Sequence, residues 1–404
     1  MSETRTPTGP FEWFEDMIDH CYDYAEEAKA AGRPVVGITC EYTPRELIMA
    51  AGGVPVCLCG GSAKTIPAAE EYLPANLCPL IKSTFGYMVS KSNPFLEWAD
   101  LIVAETTCDG KKKMFELMAE TKPVYIMELP QKSSDPDAFE HWVLELRKVK
   151  AELESRFGVE ITEDKIRQAI RTMNRERALR RELASLMKSD PPPITGRQLL
   201  DLKSIISGIP ADMEQYESAI RILRERNETE TAIPGEGSPG TTAHAHSPIR
   251  VLLTGVPVVH GAERVVEIIE NSGGVIVCAE NCTGLKPILE DVDEAAEDPI
   301  RALARKYFDI HCAVMTRNDR RIEAIRDLAG QYGAQCIIDL VWQACATYDI
   351  ESYQVRRLAE QELNLPYLHI ETDYSPSDSA RIAVRVEALF ETVRGGAFAS
   401  TRRG

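Results

Sequence analysis

Residues 34–60 read PVVGITCEYTPRELIMAAGGVPVCLCG, and their rhythm decides the fold. PVVGITC is a β-rich run, PRELIMAAG over about 44–52 reads as a helix, and VPVCLCG is β-rich again. The same alternation continues outward. Residues 79–98 read as helical, ADLIVAE as a strand, GKKKMFELMAE as a helix and KPVYIMELP as a strand. Strand and helix in alternation is the pattern of a parallel sheet covered on both faces. Ahead of it, residues 11–32 form an amphipathic helix with Phe11, Phe14, Met17, Ile18, Cys21 and Tyr22 on one face.

The alternation resumes at residue 249 with IRVLLTGVPV, a helix over 261–272, GGVIVCAE and a helix over about 298–307. The irregular turn IHCAVMTRN leads to a helix over 319–332 and the strand AQCIIDLVW. A helix over 350–363, the strand LPYLHIETD and a helix over 377–394 complete it. Between the two β-rich parts lie long charged, heptad-like stretches with almost no strand signal, and then NETETAIPGEGSPGTTAHAHSP. The expected organisation is an N-terminal α/β domain (1–137), a helical connector (138–226), a flexible linker (227–248) and a C-terminal α/β domain (249–404). The fold class is α/β: two Rossmann-like or flavodoxin-like parallel-sheet domains facing a central crevice, with a helical insertion.

A chain of 404 residues with 44% hydrophobic and 27% charged residues is a multi-domain globular protein. Its net charge of −17 argues against nucleic acid or an anionic membrane as partner. The N-terminus shows no secretory signal, and the apolar runs fall short of the ~20 residues a membrane helix requires. A cytoplasmic location is expected, where thiols stay reduced.

The eleven cysteines divide by setting. Cys40, Cys78, Cys108, Cys282, Cys312 and Cys345 fall in short polar or glycine-containing turns, most of them just after an expected strand. Cys21, Cys57, Cys59, Cys278 and Cys336 lie on helix faces or within strands and read as packing residues. In parallel α/β sheets the carboxyl ends of strands converge on one crevice, so the six turn cysteines can meet in space. Thiolates without histidine partners favour iron–sulfur clusters or zinc. No CxxC run is present, which disfavours a ferredoxin-like cluster or a zinc ribbon. Two separate cubanes with full cysteine ligation would need more than six thiolates. Either each cluster keeps an open iron, or the two share a bridging ligand.

At these residues the chain resembles the 2-hydroxyacyl-CoA dehydratase / benzoyl-CoA reductase family of anaerobic iron–sulfur proteins. The motifs are CEYTPRELIMAAGGVPV, LCPLIKSTFG, ETTCDGKKKMFELM with KPVYIMELPQ, GVPVVHGAERVVEIIENSGG with AENCTG, and DLVWQACATYDIESYQVRR with LPYLHIETDYSPSD. The resemblance covers nearly all of both β-rich halves and implies one [4Fe-4S] cluster on Cys78, Cys108 and Cys345. Cys40, Cys282 and Cys312 in addition resemble the double-cubane branch, which implies an [8Fe-9S] cluster on all six. That branch implies a homodimeric reductase of a small-molecule substrate, fed by a separate ATP-hydrolysing iron–sulfur activator. No GxxxxGK[ST] loop occurs here, so ATP would be hydrolysed elsewhere. The alternatives are a (R)-2-hydroxyacyl-CoA dehydratase subunit, which eliminates water through a ketyl radical, and an electron-storage or cluster-carrier protein. A structural zinc protein is a further one. The chain departs from the family in MTRND, where Arg317 replaces the proline of an MTPN-like stretch.

Protons accompany electrons in most reductions, and Glu105, Glu128, His260, Glu280 and Glu371 lie at or near expected strand ends. His260, Glu105 and Glu280 are the candidate catalytic residues, His260 first because it opens a helix in a glycine-containing turn. Capping or surface ion pairs would equally account for the carboxylates. Lys111, Lys112 and Lys113 suit docking of an acidic electron donor or a CoA phosphate, or simply a solvated helix turn. His244 and His246 could bind a metal, although linker histidines are usually solvated.

Overall fold

The computed structural model describes residues 9–231 and 247–396. In the first half, β1 (Val35–Ile38), β2 (Val54–Cys57), β3 (Leu101–Glu105) and β4 (Val124–Met127) form one parallel sheet in the order β2-β1-β3-β4. In the second half, β5 (Ile249–Gly255), β6 (Gly274–Glu280), β7 (Cys336–Trp342) and β8 (Tyr367–Thr372) form another in the order β6-β5-β7-β8. The two halves therefore share one topology without a shared sequence repeat. Strands β1, β3, β5, β6 and β7 are buried along their whole length, as their unbroken apolar runs require. At the sheet edge, β4 leaves Ile126 exposed.

The halves meet closely. A Cβ on Gly61 would lie 2.1 Å from the His260 carbonyl oxygen, so only glycine permits this approach. Nearby, the hydroxyl of Tyr42 donates to the Ile310 carbonyl at 2.8 Å and that of Tyr374 to the Gly60 carbonyl at 3.1 Å.

Two expected helices are broken. Residues 11–32 form Pro10–Glu15 and Met17–Ala30, and residues 79–98 form Pro79–Val89 and Pro94–Trp98. The second break has a local cause: the Asn93 side chain accepts from the amides of Phe95 and Leu96, and Pro94 opens the new helix. The charged central region is helical, with helices Ala138–Phe157, Glu163–Leu186, Gly196–Asp201 and Pro210–Thr231. The last of these runs past residue 226, where the linker was expected to begin; the rest of that linker, with His244 and His246, lies almost wholly outside the described residues. Arg177 of Glu163–Leu186 pairs with Glu46 of the first half, and the Tyr307 hydroxyl of the second half donates to the same carboxylate at 2.7 Å. The three side chains are buried and tie both halves to the connector.

Candidate functional site

All six turn cysteines line a single cavity of about 370 Å³ between the halves. Cys40 follows β1 and Cys108 follows β3, the two neighbours between which the first sheet switches direction, so their ends diverge into a crevice. Cys345 follows β7 in the same relation to the second sheet, and Cys282 follows β6. Cys78 and Cys312 come from the connections that lead into β3 and β7.

The sulfurs fall into two trios. Cys78, Cys108 and Cys345 are each the N-cap residue of a helix: Pro79–Val89, Asp109–Met118 and Ala346–Arg357. The amides of Ile81 and Leu80 point at the Cys78 sulfur and that of Tyr348 at Cys345, and Cys345 lies within electrostatic reach of both other members. Helix N-termini favour thiolates. Cys40, Cys282 and Cys312 form the second trio and cap no helix; Cys40 is within reach of the other two. Cations lie close to them, Lys111 beside Cys40 and Lys286 beside Cys282 and Cys312, and Lys111 also reaches Cys78 and Cys108 of the first trio. Burial pushes the Cys78 thiol up to about 11 and those of Cys282 and Cys345 up to about 12. A metal centre formed there must displace those protons.

Among the described residues no three His, Cys, Asp or Glu side chains come together as tightly as a single metal ion needs. The six sulfurs are instead spread around a cavity wall. The zinc reading gains no support from this arrangement, whereas an all-sulfur donor set distributed around one space fits an iron–sulfur cluster.

Two side chains at this cavity, Lys111 and Tyr348, and Lys286 behind Tyr348 were not singled out or were misread in the sequence. Lys111, the first of a lysine run, turns inward and donates to the Thr39 carbonyl at 2.6 Å, while Lys112 pairs with Asp109 at 2.8 Å and Lys113 with Glu116 on the surface. Tyr348 faces the cavity, its hydroxyl 3.9 Å from the Cys312 sulfur, and Lys286 donates to that hydroxyl oxygen at 3.0 Å. The signal for Tyr348 was its place three residues after Cys345, on the first turn of the capped helix.

The catalytic candidates separate. Glu105 is fully buried at the end of β3; burial holds its carboxyl up at about 7, although Thr43 donates to one oxygen, and the other has no partner. Glu280 is also fully buried, but ion-paired with Lys286 at 3.2 Å and Arg321 at 3.3 Å, with His311 Nε2 at 3.1 Å. Burial works against its charge, and those partners still hold the carboxyl far below its usual range. It is a locked carboxylate, not a proton donor. His260 is exposed and does not line the cysteine cavity; it lines two neighbouring pockets. It also opens no helix, since the next one starts at Arg264. Glu128 and Glu371 are exposed.

Of the five packing cysteines, Cys21, Cys278 and Cys336 are buried in the core. Cys57 and Cys59 differ: they are half-buried and line a second pocket behind Cys282. Arg317 has φ 61°, a conformation closed to proline, so the loop after Cys312 cannot follow a proline-bearing path.

Residues 40–393 match the family described as 2-hydroxyglutaryl-CoA dehydratase, D-component, and the match takes in all six cysteines. The chain belongs to this family. Dehydratase-family membership makes it an enzyme. It is 39% identical over 381 residues to YjiM of Escherichia coli (strain K12), provisionally described as a dehydratase subunit, covering 94% of this chain and 97% of that one. The beta subunit of (R)-2-hydroxyglutaryl-CoA dehydratase from Acidaminococcus fermentans is 23% identical, covering 90% and 94%. One subunit of the benzoyl-CoA reductase of Thauera aromatica is 27% identical over 163 residues, covering 39% of this chain and 42% of its own length. Among the described residues no helix is long and apolar enough to cross a membrane.

Proposed function

We propose that this family member is an ATP-coupled, low-potential reductase of a small molecule, acting at a double-cubane iron–sulfur cluster held by Cys40, Cys78, Cys108, Cys282, Cys312 and Cys345. The observation that carries the reading is that Cys40, Cys282 and Cys312 share one cavity with the trio sufficient for a single cubane. The cluster, when bound, supplies low-potential electrons. The chain's own residues hold it by six sulfurs, place Lys111 and Tyr348 against it, and keep in Glu105 a carboxyl able to hold a proton near neutral pH.

Relatives named as a D-component, a beta subunit and a reductase subunit support an enzyme that works with other components. A separate ATP-hydrolysing activator and a homodimer in the reducing cytoplasm belong to the same proposal. The second reading, a (R)-2-hydroxyacyl-CoA dehydratase subunit with one [4Fe-4S] cluster on Cys78, Cys108 and Cys345, is favoured by the names of the relatives. It gives the second trio no task.

Anaerobic purification followed by iron and acid-labile sulfide assay separates them. About eight iron per chain supports the double cubane, and about four supports the dehydratase. Zinc without sulfide sinks both.

A further inference from the structure

Behind the Cys282 wall lies a second, smaller pocket of about 110 Å³. It is unusually cationic for a chain whose net charge is −17. Its three arginines are accounted for: Arg45 pairs with Glu41 at 2.8 Å, Arg177 with Glu46, and Arg180 with Glu176 at 3.7 Å. Its two lysines have only uncharged partners. Lys306 is 6% exposed; its ammonium donates to the Pro287 carbonyl at 2.8 Å and lies 4.8 Å from the centre of the Tyr307 ring. Lys203 is half-buried and donates to the Thr283 carbonyl at 3.3 Å. Lys203 therefore hangs from the turn that carries Cys282, and Lys306 from the short 3-10 helix Lys286–Ile288 that follows it. Among the described residues neither has a carboxylate within ion-pair distance.

An unpaired buried ammonium is costly unless something compensates its charge. We propose that this pocket binds a small oxyanion between the ammonium groups of Lys203 and Lys306, against the back of the Cys282 turn. Its volume admits an anion of a few heavy atoms and excludes an acyl-CoA. As the substrate class of the reductase the assignment rests on the function proposed above; as a binding site it rests on the two lysines. Burial holds the Lys306 ammonium at about 7 and that of Lys203 at about 8, with Arg177 and Arg180 respectively adding to the effect, and an arriving anion would restore both charges. A wider pocket of about 320 Å³ adjoins this one and shares Met17, Lys203 and His260 with it.

The test is calorimetric titration of the anaerobically purified full chain with formate, inorganic phosphate and free CoA. Formate or phosphate should bind, at least tenfold more weakly in Lys203→Gln and in Lys306→Met, and unchanged in the surface control Lys113→Gln. Lys306→Met removes an unpaired buried charge at similar shape, so its melting temperature should hold or rise, which separates lost binding from lost fold. Absence of formate and phosphate binding, or equal binding by the two lysine variants, overturns the proposal. So does CoA binding that is tighter than phosphate and lost in the same variants. Lysine-dependent anion binding by protein that carries zinc without sulfide would uphold the site while removing the reductase reading.

Discussion

The Tyr348 hydroxyl lies 3.9 Å from the Cys312 sulfur, while its oxygen accepts from Lys286 Nζ at 3.0 Å. With the lysine on the oxygen, the hydroxyl proton is free to turn toward the sulfur. Tyr348→Phe keeps the buried ring and removes only that donor. Iron content should be unchanged. The midpoint potential of the centre should become more negative by about 40 mV, for a hydrogen bond worth ~1 kcal/mol to a one-electron couple. An EPR-monitored redox titration reads it, and an unchanged potential would show that Tyr348 only packs.

Cys282→Ser and Cys312→Ser should each lose the larger cluster, lowering iron and sulfide per chain. Cys57→Ser should keep both at the parent level, since Cys57 lines the neighbouring pocket and not the cysteine cavity. Full iron content in the first two variants would refute the ligand assignment.

Glu280 is surrounded by Lys286, Arg321 and His311 with no access to solvent. Glu280→Gln leaves two buried cations undercompensated and should cost about 3–5 kcal/mol of stability. Adding Lys286→Met should recover part of that loss. Chemical denaturation of the two variants measures both effects.

His20 offers a pH signature remote from the cysteine cavity. Its Nδ1 faces the Trp13 carbonyl at 3.0 Å, and its Nε2 faces Ser204 Oγ at 2.9 Å and Asp212 at 3.4 Å. Burial disfavours its charge, yet Asp212 and the neighbouring Cys21 raise it from 6.5 to about 9. The folded state thus binds the extra proton more tightly than the unfolded chain. The resulting stability is fully present below pH 6.5 and lost as pH rises through about 9. His20→Gln should flatten that part of the stability–pH curve, and an unaltered curve would exclude the pair as its cause.

Much of the fold was legible because parallel strands buried on both faces need unbroken apolar runs, and runs such as LIVAE and CIIDLVW contain little else. Helix ends were less legible. The break at Asn93 depended on a side-chain cap, and the start at Ala346 on Cys345 serving as N-cap four residues before the helix was expected. The cysteine set was legible because its members stand in short polar turns, four of them after strands and Cys78 and Cys312 in the connections that lead into β3 and β7. Lys203 and Lys306 were not, because nothing in their local sequence separates a helix or loop face turned to a cavity from one turned to water; Tyr348 was marked only by its place three residues after Cys345. His260 illustrates the converse: its turn looked catalytic, but the approach of Gly61 to its carbonyl is accompanied by an outward-facing ring.

Local propensity and hydrophobic patterning were thus enough for the order of elements, the two parallel sheets and the sulfur-bearing turns, since each depends on residues near one another in the chain. Packing across the halves set everything that depends on distance: that six sulfurs share one cavity, that the three helix-capping ones meet the three that cap no helix, and that Glu280 is locked while Glu105 is not. Those outcomes turn on partners far away in sequence. Lys286 and Arg321 neutralise one carboxylate, and burial without such a partner leaves the other half-protonated near neutral pH.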